Sequence, residues 1–568
     1  MPWALCLYIV VIAGVGLPVW WRTTTIYRAS LPCELLVAPT GSESDQLPLA
    51  IQVVLDPALL LDAQKRPSAE FSVSDLERAL HSQAHEHART LSSKVAFRPV
   101  VSVITTQTNE RIAHTIEEMA RALNANSNAG DGHLSTQKIA EQIDPPYFFA
   151  ANMTPGSGTV FVVADARLPR IVVGSSRLLI ANLFPSAAAT EPIETIVARV
   201  LFEQMADVGA TSLSYDQPDD TLAKQAEQNS GDALRARRTF STASSFEVLF
   251  TLALGAGSSS SASSSYWDPR AIYAALRPFL AAVSVDDAPT VSSQIIYEAQ
   301  PLVTPTFDKK LNAFVLRPDQ LQHFVNSQDW GLGFSTHNNP VVNLLVFEPP
   351  PELRPLLLLD ATGHPAAQNG FLIPRWGGVL VVNPTADQAV ELSEICSVLL
   401  AQLRLLMGLR TQRSRMTELD TVHVLLPRQL AGLTDFEHDS LLRSRWLEHL
   451  ASARHSLKSF CQLLDTIPNM VVSDELQRKV DVARAAMGQA NSAMQRNALH
   501  EAYSLSKRTA HIAEAVFFDS NALSLLYFPE DNKYAIYVPL FAPAGLPILV
   551  AVVKALRQWR AAAAAPSA

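Results

Sequence analysis

The chain has 568 residues, of which 48% are hydrophobic and 17% charged, so it can bury a sizeable core and wholesale disorder is excluded. A net charge of −9 without a long basic run speaks against nucleic acid as the main partner. Four cysteines are too few for a disulfide scaffold, and the length suits two to four domains at about 150 residues each.

An uncharged apolar stretch, Trp3–Trp21, comes first and stops at Arg22. A second, Tyr534–Val553, stops at Lys554. Each is about 20 residues, and a helix of that length spans roughly 28–30 Å, the thickness of a bilayer's hydrocarbon core. The expectation is one transmembrane helix at each end, over 3–21 and 534–553, around one large loop. Such a shape argues against a channel or transporter. The first stretch lacks a basic leader and an A-x-A-like cleavage site, and Trp20-Trp21-Arg22 forms an interface anchor, so it reads as uncleaved. Lys554, Arg557 and Arg560 put the end of the second stretch in the cytosol, whereas Arg22 and Arg28 after the first argue the reverse. The larger asymmetry belongs to the second. Both termini are then cytosolic and the loop is lumenal or extracellular. Asn152-Met153-Thr154 is the only N-glycosylation sequon and makes Asn152 the candidate acceptor.

From Leu47 to Asn383 the pattern is mixed α/β. Strands are expected at Leu49–Leu55, Val95–Thr105, Val160–Ala164, Arg170–Val173, Phe246–Leu254, Gln294–Tyr297, Val341–Phe347, Leu356–Asp360 and Gly378–Asn383. Several are near-continuous apolar runs, as strands buried on both faces require. Thr190–Val208 reads as a helix, and Asp268-Pro269 opens another that runs through Val283. These alternations imply a sheet layered by helices across 22–383. No internal repeat is legible.

From Thr385 the strand signal ends. Thr385–Gln388 and Thr434–Glu437 both read as capping boxes. The second opens a helix with Leu441, Leu442, Trp446, Leu450, Leu457 and Phe460 on one face. Ser473 is placed to cap a third long helix, Asp474–Phe517. The region 384–520 reads as a helical hairpin or bundle. Gly255–Ser265 reads as a flexible loop.

The sequence contains no catalytic constellation. Cys461 follows His455 by six residues, on different faces of one helix, and Phe460 and Leu463 beside it suggest a buried thiol. Cys396, among Ile395, Val398 and Leu399, reads the same way. Cys33 is left as a free or partner-linked thiol. His81, His85 and His87 have a spacing that can bind zinc, but Gln, Ser, Glu and Arg around them favour a solvated face, so no metal and no cofactor is expected. Gly255-Ala256-Gly257 lacks the Lys-Ser/Thr of a phosphate loop. Within the second apolar stretch Pro539, Pro543 and Pro547 recur every four residues and share a helix face. Each frees a backbone carbonyl, and the strip is expected to pack against partner helices.

Several segments carry a family resemblance. Near the start these are Gly16-Leu17-Pro18, Trp20-Trp21-Arg22 and Tyr27–Pro32. The middle contributes Tyr266-Trp267-Asp268, Ser293–Tyr297, Pro374–Gly378 and Leu400–Leu406, and the most specific run is Leu525–Asp531 with Ala535-Ile536-Tyr537 and Pro539-Leu540-Phe541. The chain resembles PIG-S, the phosphatidylinositol-glycan class S subunit of the GPI transamidase. Coverage is good over Phe246–Lys554 and at Gly16–Pro32, and poor from Ala38 to Phe240. The serine run Ser258–Ser265 and the missing basic leader depart from the family pattern.

The resemblance implies a noncatalytic lumenal subunit of an endoplasmic-reticulum complex that removes a C-terminal signal and attaches a GPI lipid in its place. It implies as partners PIG-K, which carries the catalytic cysteine, and PIG-T, PIG-U and the GPI-attachment (Gaa) subunit. The rival readings are an independent membrane-anchored lumenal hydrolase and a lumenal adaptor unrelated to GPI.

Overall fold

The structure, a computed structural model, describes Gly14, Pro18 and residues 28–33, 47–55, 71–90, 97–105, 156–163, 170–174, 177–183, 191–205, 238–240, 246–258, 266–284, 288–325, 330, 339–384, 390–409, 422–424, 433–467, 470, 472–519 and 530–563. They divide into two compact units. The larger comprises Thr40–Ser452 and Ala486–Arg508, the smaller Met1–Pro39, Ala453–Ala485 and Thr509–Ala568.

The larger unit opens with β1 (Leu47–Leu55), α1 (Val73–Thr90) and β2 (Phe97–Thr105), then β3 (Ser157–Val163), β4 (Ile171–Val173), β5 (Leu178–Asn182) and α2 (Ile193–Met205). With a late strand, β14 (Val422–Val424), they form a six-stranded sheet in the order β14-β4-β5-β3-β1-β2. All neighbours are parallel except β4 against β5.

Next come β6 (Glu247–Leu254), α3 (Pro269–Val283), β7 (Thr290–Ile296), β8 (Thr306–Asp308), β9 (Ala313–Leu316), α4 (Pro318–Leu321), β10 (Val341–Glu348), β11 (Leu356–Leu358), β12 (Gly370–Ile373), β13 (Gly377–Val381) and α5 (Leu392–Leu406). A five-stranded sheet has the order β12-β13-β10-β6-β7, with only β12 antiparallel to its neighbour. A small sheet, β11-β9-β8, accompanies it.

The two large sheets repeat one topology. In each, a first strand (β1 or β6) leads through a helix to a parallel strand on one side (β2 or β7). The third strand (β3 or β10) returns to the other side of the first. A short strand (β4 or β12) then lies antiparallel to the last (β5 or β13), and a helix follows. The duplication is of connectivity, which is why residue-by-residue reading finds no repeat.

The first core joins Leu49, Ile51 and Val53 of β1 to Leu76 and Leu80 of α1, Val197 and Leu201 of α2, and Phe436, Leu442 and Trp446. The second sheet is buried on both faces. Phe250, Leu252, Leu344 and Val346 meet Leu276 and Phe279 of α3 and Ile395 and Leu399 of α5. On the other face Leu345, Phe347 and Val381 meet Leu316, Leu356 and Leu358. This two-sided burial explains the near-continuous apolar runs of β6 and β10.

Local signals act as the sequence implies. Asp268 accepts from the backbone N–H groups of Arg270 (2.9 Å) and Ala271 (3.3 Å), and Pro269 occupies the first turn of α3. Thr434 and Glu437 form a reciprocal capping box at 3.0 and 3.2 Å, starting α6 (Asp435–Thr466). Ser473 accepts from the Leu476 N–H at 3.1 Å, opening α7 (Asp474–Gln495). The single long helix expected over Asp474–Phe517 is two, because Asn497 adopts a φ of 61° between α7 and α8 (Leu499–Phe517). The strand signal does not end at Thr385, since β14 lies beyond it. The capping box expected at Thr385–Gln388 lies outside the described residues.

The smaller unit takes the end of α6, the start of α7, the end of α8, residues 28–33 and α9 (Glu530–Ala563). Its buried residues include Leu457, Phe460, Leu464, Leu476, Val480 and Val516.

The terminal transmembrane helices expected over 3–21 and 534–553 are corrected here. Among the described residues no helix is long and apolar enough to cross a membrane. Of 3–21 only Gly14 and Pro18 are described. The stretch 534–553 lies within α9, where Pro539, Pro543, Gly545 and Pro547 interrupt the apolar residues and Lys554, Arg557 and Arg560 follow. Its described residues form no uninterrupted apolar run.

Candidate functional site

Two described clusters concentrate polar chemistry, and a third feature ties the amino-terminal segment down. In the second sheet, β6 and β10 send their connections to opposite sides. The carboxyl ends of such strands are where open α/β sheets place ligands. Here that crevice holds the chain's own groups. Glu348, at the end of β10 and 1% exposed, accepts the Tyr266 hydroxyl on one oxygen and Arg354 Nη2 at 2.5 Å on the other. Arg354 also donates to Pro349 O (2.8 Å), Pro384 O (3.1 Å) and Ser258 Oγ (2.8 Å). Burial and the bond to Glu348 push the Tyr266 pKa up, so its phenol stays a donor. Gly255 is required beside them, because a Cβ there would lie 2.5 Å from Pro350 Cδ. This arrangement binds loops to one another.

The second cluster lies at the start of α6. Arg177 donates to both carboxylate oxygens of Asp439, at 2.6 and 2.9 Å, and to Asp435 at 3.0 Å. One turn on, the fully buried Arg443 donates to Gly156 O (2.6 Å) and to Met205 O (3.2 Å), the last residue of α2. Burial lowers its pKa, and the nearby Asp439 carboxylate counters this. These groups fasten α6 to the first sheet. Sequence reasoning missed Arg443, since an arginine on an amphipathic helix ordinarily reads as surface.

In the smaller unit, Cys33 and Cys461 form a disulfide with Cα atoms 5.9 Å apart. Arg28 donates to Leu464 O (3.2 Å), Ile467 O (2.7 Å) and Met470 O (3.2 Å), capping the carbonyl end of α6 with a cation. The Ala29 N–H adds a bond to Val472 O at 3.0 Å. This corrects two readings: Cys461 is not a free buried thiol, and Cys33 is not free or linked to a partner. Pairing cannot be deduced from spacing when the two cysteines lie 428 positions apart. Cys396 is free and buried, and its pKa is raised by that burial, which keeps it a thiol.

The remaining sequence candidates are not brought together. His81 and His85 are both exposed on α1, and no group of three or more potential metal ligands exists among the described residues. Asn152 lies outside the described residues. Pro539, Pro543 and Pro547 are all exposed on α9.

A family model described as "Phosphatidylinositol-glycan biosynthesis class S protein" (PIG-S) matches residues 7–562. The chain belongs to this family. It is 30% identical to the Bos taurus protein named GPI-anchor transamidase component PIGS, over 97% of this chain and 94% of that one. The Homo sapiens protein of the same name is 29% identical, over 96% and 93%. A Schizosaccharomyces pombe GPI transamidase component PIG-S homolog is 26% identical, over 56% and 55%. The family match spans the stretch from Ala38 to Phe240 where the motif resemblance is poor.

Proposed function

We propose that this chain is a noncatalytic subunit of the GPI-anchor transamidase, an endoplasmic-reticulum membrane complex that attaches GPI lipids to protein C-termini. The observation that carries the reading is the end-to-end likeness to proteins named as components of that transamidase. The Cys33–Cys461 disulfide adds a physical argument, because such bonds persist in oxidising compartments and the endoplasmic-reticulum lumen is one. It also engages Cys33, the thiol on which an independent hydrolase would draw. The resemblance supplies the partners: PIG-K, with the catalytic cysteine, and PIG-T, PIG-U and the Gaa subunit.

Two finer features belong to this reading. Asn152 is its glycan acceptor, and an Asn152→Gln variant removes the single mobility shift that endoglycosidase treatment produces in the parent. The strip Pro539, Pro543 and Pro547 meets partner subunits, since the three are exposed on α9 and share a face.

The functional test is deletion of the chain in cells that express a GPI-anchored reporter. The reporter then accumulates with its C-terminal signal uncleaved, and the full chain restores surface delivery. Normal attachment without the chain overturns the proposal.

A further inference from the structure

We infer that Cys33 is the sulfur through which this chain is oxidised: the Cys33–Cys461 bond forms by way of a mixed disulfide between Cys33 and a dithiol–disulfide oxidoreductase, which Cys461 then resolves. The inference rests on the lumenal reading argued above. The two sulfurs differ in access. Cys461 is 3% exposed, on the face of α6 that also buries Leu457, Phe460 and Leu464. Cys33 is half-buried, at the end of the segment 28–33. The order of assembly widens this difference. α6, α7 and α8 follow one another in the chain, and Leu476, Val480 and Val516 join the buried residues of the same unit over short separations. Cys33 arrives from 428 positions away. Local contacts form before distant ones, whose loop closure costs more entropy. Cys461 is therefore covered by its helices while Cys33 is still a thiol that a large reagent can reach.

The chemistry is thiol–disulfide exchange. The Cys33 thiolate attacks one sulfur of the oxidoreductase's disulfide. That bond breaks, a bond forms between Cys33 Sγ and the attacked sulfur, and the other enzyme sulfur leaves as a thiolate and takes a proton. The Cys461 thiolate then attacks Cys33 Sγ and expels the enzyme's sulfur, which is protonated in turn. The two cysteines give up two electrons and two protons, and the enzyme's disulfide gains them as a dithiol. Only the second step uses Cys461, and it asks that Cys33 Sγ alone come within reach. The segment's other bonds provide that approach. Arg28 donates to Leu464 O, Ile467 O and Met470 O, and the Ala29 N–H to Val472 O, so noncovalent bonds bring the segment to the end of α6 that carries Cys461. Arg28 is a positioning residue for the second step and has no part in the first.

The test expresses the tagged full chain in cells, blocks free thiols with N-ethylmaleimide before lysis and separates the products without reductant. Cys461→Ser leaves Cys33 with no internal partner. It is expected to carry at least about fivefold more reductant-sensitive adduct than Cys33→Ser, with the Cys33 peptide linked to an oxidoreductase's cysteine peptide in the mass spectrum. Both variants lose the same bond, so they are matched in folding, and the Cys33→Ser/Cys461→Ser variant gives the background from the other cysteines. Arg28→Ala is expected to lengthen the life of the mixed disulfide at least about threefold in a pulse–chase, and Arg28→Lys, which keeps a cation for the same carbonyls, to restore part of the parent rate. An unchanged lifetime in Arg28→Ala overturns the part given to Arg28. An equal or larger adduct on Cys461 in Cys33→Ser, an adduct with glutathione alone, or no adduct above background in Cys461→Ser overturns the proposal as a whole. The parent chain separates the two levels of failure. A parent recovered with Cys33 and Cys461 both reduced contradicts the lumenal reading itself, whereas an oxidised parent beside an adduct-free Cys461→Ser contradicts this proposal alone.

Discussion

Cys33 and Cys461 are joined across 428 residues of sequence, and the bond lands on α6 five residues before the helix ends at Thr466. Arg28 holds the carbonyls of that same end. The amino-terminal segment is thus fixed to α6 by a covalent bond and by a cation at the negative end of the helix dipole. Arg28, which confuses a charge-based reading of topology, has a structural use.

Loss of either cysteine therefore costs the same interaction. Cys33→Ser and Cys461→Ser are each expected to lower stability by about 2–4 kcal/mol, and the double variant by no more than either single one. Denaturant unfolding followed by fluorescence measures this, and a linked peptide containing both residues should appear only in a non-reduced digest. Additive losses would mean the two cysteines act separately.

Acid is expected to destabilise the larger unit. His449 packs against Tyr503 with ring centroids 5.7 Å apart, and burial, aided by the Arg445 charge, pushes its pKa down to about 4. His438 is lowered by burial as well. The unfolded chain takes up these protons near pH 6.5, whereas folded His449 resists until about pH 4. Between those values the unfolded state binds more protons, so stability falls as pH falls, by roughly 3 kcal/mol at most for His449. Denaturant midpoints between pH 7.5 and 4 measure the slope, and His449→Gln should flatten it. An unchanged slope in that variant would assign the acid sensitivity elsewhere.

Arg443 should behave as an anchor. Arg443→Met keeps bulk but leaves Gly156 O and Met205 O without its two donors. A loss of about 2–4 kcal/mol is expected, with the complex still forming where the protein stays folded. A change within about 0.5 kcal/mol would mean that desolvating the guanidinium cancels its bonds.

Thr434→Ala removes the hydroxyl that accepts from the Glu437 N–H. The expected cost is about 1 kcal/mol, read from the same unfolding curves. Ser473→Ala, at the start of α7, provides an independent capping site for comparison.

Much of the α/β architecture was legible because its signals are local. Asp268-Pro269 announces α3, Thr434–Glu437 announces α6, and the apolar run Val341–Phe347 marks a buried strand. What escaped depends on distant partners. β14 is three residues long and is a strand through its pairing with β4. β5 and β12 are short, and the repeated topology becomes visible only when strand order is known. The disulfide and the buried Arg443 were missed because nothing near Cys461 or Arg443 marks the Cys33 thiol or the Gly156 carbonyl as its partner. Apolar content likewise overstated the stretch 534–553, where Pro539, Pro543, Gly545 and Pro547 interrupt α9.

A component of the GPI-anchor transamidase works as one subunit among several. Affinity isolation of the tagged full chain from mild-detergent extracts, with quantitative mass spectrometry, tests it most directly. The expected result is a stable assembly that contains a cysteine-protease-like subunit in stoichiometric amount. A chain recovered alone, while that subunit and its GPI-attachment activity fractionate elsewhere, would contradict it.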